Sequence, residues 1–347
     1  MPSIPSRKSA SATSLIPGVR IGHADDASAA TGVTAVLFDQ PATASVSILG
    51  GAPAGRDTAL LEPEMTVGTV DALILSGGSG FGLDAAGGAM AALVAMGRGF
   101  AIRSALVPIV PQAILFDLLN GGEKPWLTRE RPAAAPPVMP PYWQLGYQAI
   151  GVASPEFDLG STGAGFGATT ANLKGGFGTA SATTAGGLIV QAFMAVNAIG
   201  AATIGDGPHF WAAPYEQGAE FGGLGLPNAM PADALTLRIK GHAAEPATTI
   251  GTIVTNAILT KPQAKRLAIM AQDGLARAIR PAHAPMDGDT IFAAATGEIA
   301  LRDPAYDLTL LGMLAADCVA RAIAIGVYQA TALPFPDALP SWRDRFG

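Results

Sequence analysis

Glu245-Pro246-Ala247-Thr248-Thr249-Ile250-Gly251-Thr252-Ile253-Val254-Thr255-Asn256 is the stretch on which the reading of this chain turns. Residues 243–247 are small or proline-bearing and read as a linker. From Thr248 onward the β-branched residues crowd together and read as a strand, because their stiff side chains suit a pleated, half-buried surface. Taken alone this is a structural junction and nothing more, since threonine is an ordinary strand residue.

Working outward, the next signal downstream is a helix start. Thr260 and Gln263 have the spacing of a capping box, and Pro262 falls in the first turn, where its missing N–H costs nothing. Ala264, Leu267, Ala268, Ala271, Leu275, Ala278 and Ile279 then form one apolar stripe, which Pro281 ends. Residues 291–295 read as a strand and 306–328 as a long apolar helix. Upstream, residues 33–38, 44–49, 71–75, 188–196 and 235–240 read as strands, and 83–96 as an Ala-rich helix. Strands and helices alternate along the chain, which predicts an α/β or α+β layered domain. Residues 123–141 carry Pro132, Pro136, Pro137, Pro140 and Pro141 and read as an irregular loop. Residues 1–14 read as a flexible tail rather than a secretory signal, which leaves 15–347 as a single domain.

Composition narrows the function classes. The 347 residues are 49% hydrophobic and 14% charged, with 43 glycines, which fits a large core joined by many tight turns. A net charge of −6 without a basic stripe argues against a nucleic-acid partner. The single cysteine, Cys318, excludes an internal disulfide framework, and four histidines without a paired spacing argue against a transition-metal site. The most membrane-like segment, 187–205, carries Gln191 and Asn197 and reads as a buried strand with a turn, not a span. No membrane, cofactor or metal is expected, and the cytoplasm is the default compartment.

Two further segments carry candidate chemistry. Ser76-Gly77-Gly78-Ser79-Gly80-Phe81-Gly82 lies between a strand and a helix, where phosphate can bind. Its spacing fits neither the dinucleotide fingerprint nor the P-loop, so close helix–sheet packing is the better reading. Met286-Asp287-Gly288-Asp289-Thr290 precedes a strand. Its two acids are ordinary turn residues, calcium ligands without the rest of an EF-hand, or groups that orient a nucleophile.

Taken in order, these segments resemble the L-aminopeptidase/D-amidase-esterase family, with its β-peptidyl aminopeptidase and nylon-oligomer hydrolase branches. The likeness runs from about residue 16 to 328. It rests on Ile16-Pro17-Gly18-Val19-Arg20-Ile21-Gly22-His23, Thr31-Gly32-Val33-Thr34, Gly50-Gly51-Ala52-Pro53, the 75–84 turn and Pro108-Ile109-Val110-Pro111. It continues through Lys174-Gly175-Gly176-Phe177-Gly178-Thr179-Ala180-Ser181, Val196-Asn197, Thr248-Thr249-Ile250-Gly251, Gly274-Leu275-Ala276-Arg277-Ala278 and Asp287-Gly288-Asp289-Thr290.

The resemblance implies a four-layer αββα sandwich of the N-terminal-nucleophile type. It also implies a precursor that cuts itself between Ala247 and Thr248, into pieces 1–247 and 248–347. Thr248 is then the nucleophile, Lys174 and Asn197 line its site, and Asp287 and Asp289 hold it in register. A threonine hydroxyl needs a proton acceptor, and its own freed α-amine, with a reference pKa of about 7.7–8.0, suits that task near neutral pH. Lys174 is expected to stabilise negative charge or tune the amine, and the Asn197 amide to donate to the oxyanion. Without the resemblance, Lys174 reads as a surface charge and Asn197 as a turn residue.

Two positions depart from the family pattern. Ala247 stands where Asn or Gly is usual, and a left-handed backbone there would cost about 1–2 kcal/mol. Phe116 stands where some relatives have a tyrosine hydroxyl. The expected substrate is a short peptide, amino-acid amide, ester or related oligomer. A homo-oligomer, with a tetramer as one form, is also expected. The alternative function is an uncut, non-catalytic binding protein on the same scaffold. Residues 123–141 are the loop expected to shape specificity.

Overall fold

The structure is a computed structural model and describes residues 10–128, 136–241 and 246–347. The first half of the chain contributes β1 (Ser11–Thr13), β2 (Val19–Asp26), β3 (Thr31–Ile48), β4 (Gly55–Arg56), β5 (Thr69–Ser76) and α1 (Ala85–Ala95). After these come β6 (Phe100–Ile102), β7 (Ala105–Val107), β8 (Gln112–Ile114), α2 (Tyr142–Gly151) and β9 (Glu156–Asp158). The second half runs β10 (Phe177–Thr183), β11 (Ile189–Asn197), β12 (Thr248–Ala257), α3 (Lys261–Ala271), α4 (Asp273–Ala278), β13 (Thr290–Ile299), α5 (Pro304–Gln329) and α6 (Trp342–Phe346).

One hydrogen-bonded path links the main strands in the order β10-β11-β12-β13-β3-β5-β8-β4, with β2 added to β3. The hinge is β3. Its first part pairs with β2 and β5, its last part with β13, and the register slips between Leu37 and Ala42. Asp39, Gln40 and Pro41 sit exposed at that slip, where proline removes a ladder donor and the sheet turns a corner. The two apolar runs expected as separate strands, 33–38 and 44–49, are therefore one strand that serves two sheet halves.

Alternating side chains make the layers. On β3 and β5, Val33, Ala35, Leu37, Ala72 and Ile74 face α1 and α2, while Val36, Phe38, Leu73 and Leu75 face the other core. β12 touches β5 and β8 without being their ladder neighbour, so the sheet halves pack face to face. Outside the second half lie α3, α4 and α5, with α5 against β10 and β11. The result is a mixed α/β sandwich with helices on both outer faces. Gly88 of α1 shows how close the first helix pair is, since a Cβ there would sit 1.8 Å from the Trp143 carbonyl oxygen.

The capping box at Thr260 forms, with Gln263 Oε1 accepting from the Thr260 N–H at 2.8 Å. The stripe beyond it breaks at Gln272 into α3 and α4 rather than continuing as one helix. α5 is long and apolar enough to cross a membrane, but most of it is buried inside the fold as a core helix. Two further expectations are corrected. Residues 11–13 of the expected tail form β1, paired with β9, while 1–9 lie outside the described residues. Residues 235–240 form turns and irregular backbone, with Leu235 and Leu237 exposed, so that apolar run is not a strand. In the 123–141 loop, a short 3-10 turn spans Pro125–Leu127, and 129–135 lie outside the described residues.

Candidate active site

The topology brings four strand ends to one edge. β12 and β13 are parallel neighbours joined by a helical crossover through α3 and α4, so their N-terminal ends lie side by side. β11 runs antiparallel to β12, which puts its C-terminal end there too, and β10 returns its N-terminal end. Thr248 opens β12 with Asn197 directly opposite, and the 287–289 turn leads into β13. Lys174 precedes β10, two strand spacings from β12, or on the order of 10 Å.

Thr248 is buried and its hydroxyl hydrogen-bonds to the Ala247 carbonyl oxygen. The same oxygen accepts from the Gly288 N–H at 3.0 Å, and the Ala247 N–H donates to the Met286 carbonyl at 3.2 Å. Ala247 thus forms a parallel bridge with Asp287. Gly288 is required for this fit, since a Cβ on it would lie 2.5 Å from the Thr248 hydroxyl oxygen. Among the described residues other than glycine, positive φ occurs at Ala30, Asp57, Ser79, Arg103, His283 and Asp337. Ala247 is not one of them, so the left-handed strain considered for this position is absent.

The two aspartates differ sharply. Asp289 accepts from the Thr249 N–H at 2.9 Å through Oδ1, and from the His283 N–H at 3.0 Å and Nδ1 at 2.8 Å through Oδ2. Asp287 leaves Oδ1 buried without a partner. Burial first, then the neighbouring Asp289 charge, push the Asp287 carboxyl well above the ordinary carboxylate range, with Lys240 opposing. A buried carboxylate pair that shares one proton places it on the member with fewer donors, here Asp287.

Asn197 is fully buried and its side chain is committed. Nδ2 donates to the Phe116 carbonyl at 2.8 Å, and Oδ1 accepts from the Thr169 N–H at 3.0 Å and Lys240 Nζ at 2.8 Å. In the uncut chain its bonds go to Phe116, Thr169 and Lys240, and the main-chain donor at the Ala247 carbonyl is the Gly288 N–H. Lys174 is buried, not a surface charge. Its ammonium donates to the carbonyls of Gly165, Ala168 and Gly175 at 3.0, 2.8 and 2.8 Å. Burial pulls its pKa down to about 7, yet three acceptors match the three N–H bonds of the charged form. In the uncut chain Lys174 holds the turn whose Thr169 bonds Asn197, and its charge is felt together with that of Lys240.

Three contributors were not legible in the sequence. Lys240 lay at the end of an apolar run misread as a strand. His283 was one of four scattered histidines, with only its closeness to Asp287 and Asp289 as a signal. The Gly288 N–H is backbone, which no residue type advertises. A cavity of about 270 Å³ opens beside these groups, lined by Phe116, Asn120, Thr169, Lys240, Pro246 and residues 336–339. The described part of the 123–141 loop does not line it. The glycine-rich turn is occupied instead of open. Gly78 abuts the Tyr142 ring, and its N–H donates to Asp117 at 2.7 Å, so the turn serves packing.

The model of peptidase family S58 matches residues 14–338. The chain belongs to peptidase family S58. It is 40% identical to an uncharacterized aminopeptidase of Mycobacterium tuberculosis, over 95% of this chain and 96% of that protein. It is 28% identical to a 6-aminohexanoate-oligomer endohydrolase of Paenarthrobacter ureafaciens, over 82% of this chain and 75% of that protein. In structure it is similar to the L-aminopeptidase D-Ala-esterase/amidase of Ochrobactrum anthropi, described as a variant of the Ntn hydrolase fold. The TM-score is 0.64 at 19% identity, covering 95% of this chain and 90% of that one. This S58 chain is thus a hydrolase on an Ntn-type scaffold.

Proposed function

We propose that this S58 hydrolase is a self-processing enzyme that uses Thr248 as an N-terminal nucleophile against amide or ester bonds of short peptides, amino-acid amides or related oligomers. The observation that carries the reading is the convergence on one peptide bond. The Thr248 hydroxyl and the Gly288 N–H both address the Ala247 carbonyl oxygen.

In the processing step Thr248 Oγ1 attacks the Ala247 carbonyl carbon. The Gly288 N–H receives the developing oxyanion, a contribution often worth several kcal/mol, about 3–4 for one donor. The C–N bond breaks, the hydroxyl proton passes to the Thr248 nitrogen, and an ester links Ala247 to Thr248. Water hydrolyses that ester, leaving a carboxylate on Ala247 and a free hydroxyl and α-amine on Thr248. In turnover the α-amine takes the hydroxyl proton as Oγ1 attacks the substrate carbonyl. The leaving amine or alcohol departs with that proton, and water releases the acyl group. Asp289 holds the start of β12 through Thr249. Lys240, set against Asn197 and electrostatically close to Asp287, supplies positive charge to the site.

Thr248→Ala is expected to remain a single chain by denaturing intact-mass measurement and to lose turnover of amino-acid amides by at least a thousandfold. A variant that still splits between 247 and 248, or still turns over at the wild-type rate, would refute the assignment. A wild-type protein that stays in one piece and inert would favour the uncut binding protein.

We also infer a homo-oligomer in the cytoplasm. Phe100, Ile102, Leu106 and Val107 of the β6–β7 hairpin stand exposed, with Val94 and Met96 at the end of α1 also open, an apolar surface that a partner copy would cover. Sedimentation at micromolar concentration should give at least a dimer, and a monomer contradicts it. The buried free thiol of Cys318 suits a reducing compartment.

A further inference from the structure

His283 stands outside the residues assigned above, yet it contacts one of them, Asp289, at two points. Its main-chain N–H and its ring Nδ1 both reach the same Asp289 oxygen, at 3.0 and 2.8 Å. A carboxylate has no proton to give, so Nδ1 carries the hydrogen. The two-point grip depends on the backbone of His283, which is left-handed at φ 57°. That conformation is uncommon outside glycine, and here it turns the N–H and the ring toward one acceptor.

The other Asp289 oxygen accepts from the Thr249 N–H at 2.9 Å. The parallel ladder between β12 and β13 begins only at Ile250 with Thr290. The Asp289 carboxylate therefore does for Thr249 what a ladder carbonyl does further along, and it fixes the residue next to the nucleophile. The ring of His283 is partly exposed, at 23%, and borders an open cavity of about 410 Å³ with Trp211, Arg280 and Pro281.

We propose that His283 is a positioning residue of this active site, holding Asp289 so that Asp289 holds the start of β12 and thereby aims the Thr248 hydroxyl. The inference rests on Thr248 being the nucleophile. A carboxylate freed from His283 could rotate toward Asp287 or leave Thr249 without a partner, and either loosens the aim by the fraction of an ångström to which attack geometry is sensitive. The effect belongs in kcat and in the self-cleavage rate, not in substrate affinity.

The test compares three variants with the full-length wild-type protein. His283→Phe keeps the ring volume and removes the donor, and is expected to lower kcat and the cleavage rate at least tenfold with KM within twofold. His283→Asn, which tolerates the left-handed backbone and carries an N–H donor, is expected to recover most of that loss. His283→Gly fits the backbone without strain and opens the cavity further, so added imidazole should restore part of the activity. If His283→Phe works at the wild-type rate, the proposal is wrong. It is equally wrong if Phe, Asn and Gly are all impaired alike and imidazole changes nothing, since the residue would then only brace its loop. Thr248→Ala separates the two claims. An active Thr248→Ala overturns the nucleophile itself, whereas an inert Thr248→Ala beside an unimpaired His283→Phe overturns only the role of His283.

Discussion

Lys174 and Lys240 are both buried lysines at the same edge of the sandwich, and they do opposite things. Lys174 gives its three hydrogen bonds to main-chain carbonyls of the 165–175 segment. Lys240 gives bonds to Asn197, at 2.8 Å to the side-chain Oδ1 and at 3.4 Å to the main-chain carbonyl, and acts electrostatically on Asp287. A buried cation whose acceptors are all backbone shapes the scaffold. One that reaches a site side chain as well sets the field in which the site works. Residue type and burial do not separate the two cases, but the identity of the acceptors does.

Exchanging each lysine for methionine is the strongest way to break that contrast. Lys174→Met leaves three buried carbonyls without a donor, at about 1–3 kcal/mol each, and should lower the melting temperature by several degrees or prevent folding. Lys240→Met should melt close to wild type while kcat/KM falls by about ten- to a hundredfold, on the order of 1.4–2.7 kcal/mol. Thermal melts and steady-state kinetics on both variants decide the matter. A folded, inactive Lys174→Met beside an unfolded Lys240→Met would invert the assignment.

On the opposite side of Thr248, Gly288→Ala tests whether the aspartate turn matters through its backbone. The added Cβ would press on the Thr248 hydroxyl and displace the N–H from the Ala247 carbonyl. The half-time of self-cleavage, followed by intact mass, should lengthen at least tenfold. An unchanged half-time would mean that the scissile carbonyl draws its donor from elsewhere.

The smallest expected effect is on stability against pH. The Asp287 carboxyl titrates higher in the folded chain than in the unfolded one, so between those values the folded state binds the extra proton. Stability therefore falls as pH rises from the ordinary carboxylate range toward the raised value, by up to about 1.4 kcal/mol per unit. In a Thr248→Ala background, which keeps the chain whole, Asp287→Asn should flatten that slope in urea unfolding at pH 5 to 7. Lys240→Met should carry the slope on to higher pH, because the cation that opposes the shift is gone. A slope the same in all three removes the electrostatic link between Lys240 and the pair.

Most of the scaffold was legible because its signals are local. The Thr260 box, the β-branched run after Thr248 and the apolar α5 each declare themselves within a dozen residues. What misled was apolar character without a partner. Residues 235–240 look like a strand, yet among the described residues no strand pairs with them in a ladder, and Leu235 and Leu237 remain exposed. Likewise 33–38 and 44–49 look like two strands because Pro41 interrupts them, although the sheet bends there without ending. In the candidate site, Thr248, Asn197, Asp287 and Asp289 were named through family resemblance, and they lie together because four strand ends share an edge. Lys174 was named in the same way, and in the uncut chain its ammonium bonds to main-chain carbonyls. Lys240 and His283 were missed because their meaning comes only from what folds against them.

β12 is an interior strand, paired on one side with β11 and on the other with β13. A cut just before Thr248 therefore frees an end without freeing a piece. The segment 248–347 still supplies two central strands and the core helix α5. From then on the protein would be a two-chain assembly that was folded as one chain. Melting it would scatter the fragments, refolding would need them to meet again, and its melting temperature would rise with concentration as it does for any complex. Each molecule would have a single unimolecular opportunity to fold, before the cut is made.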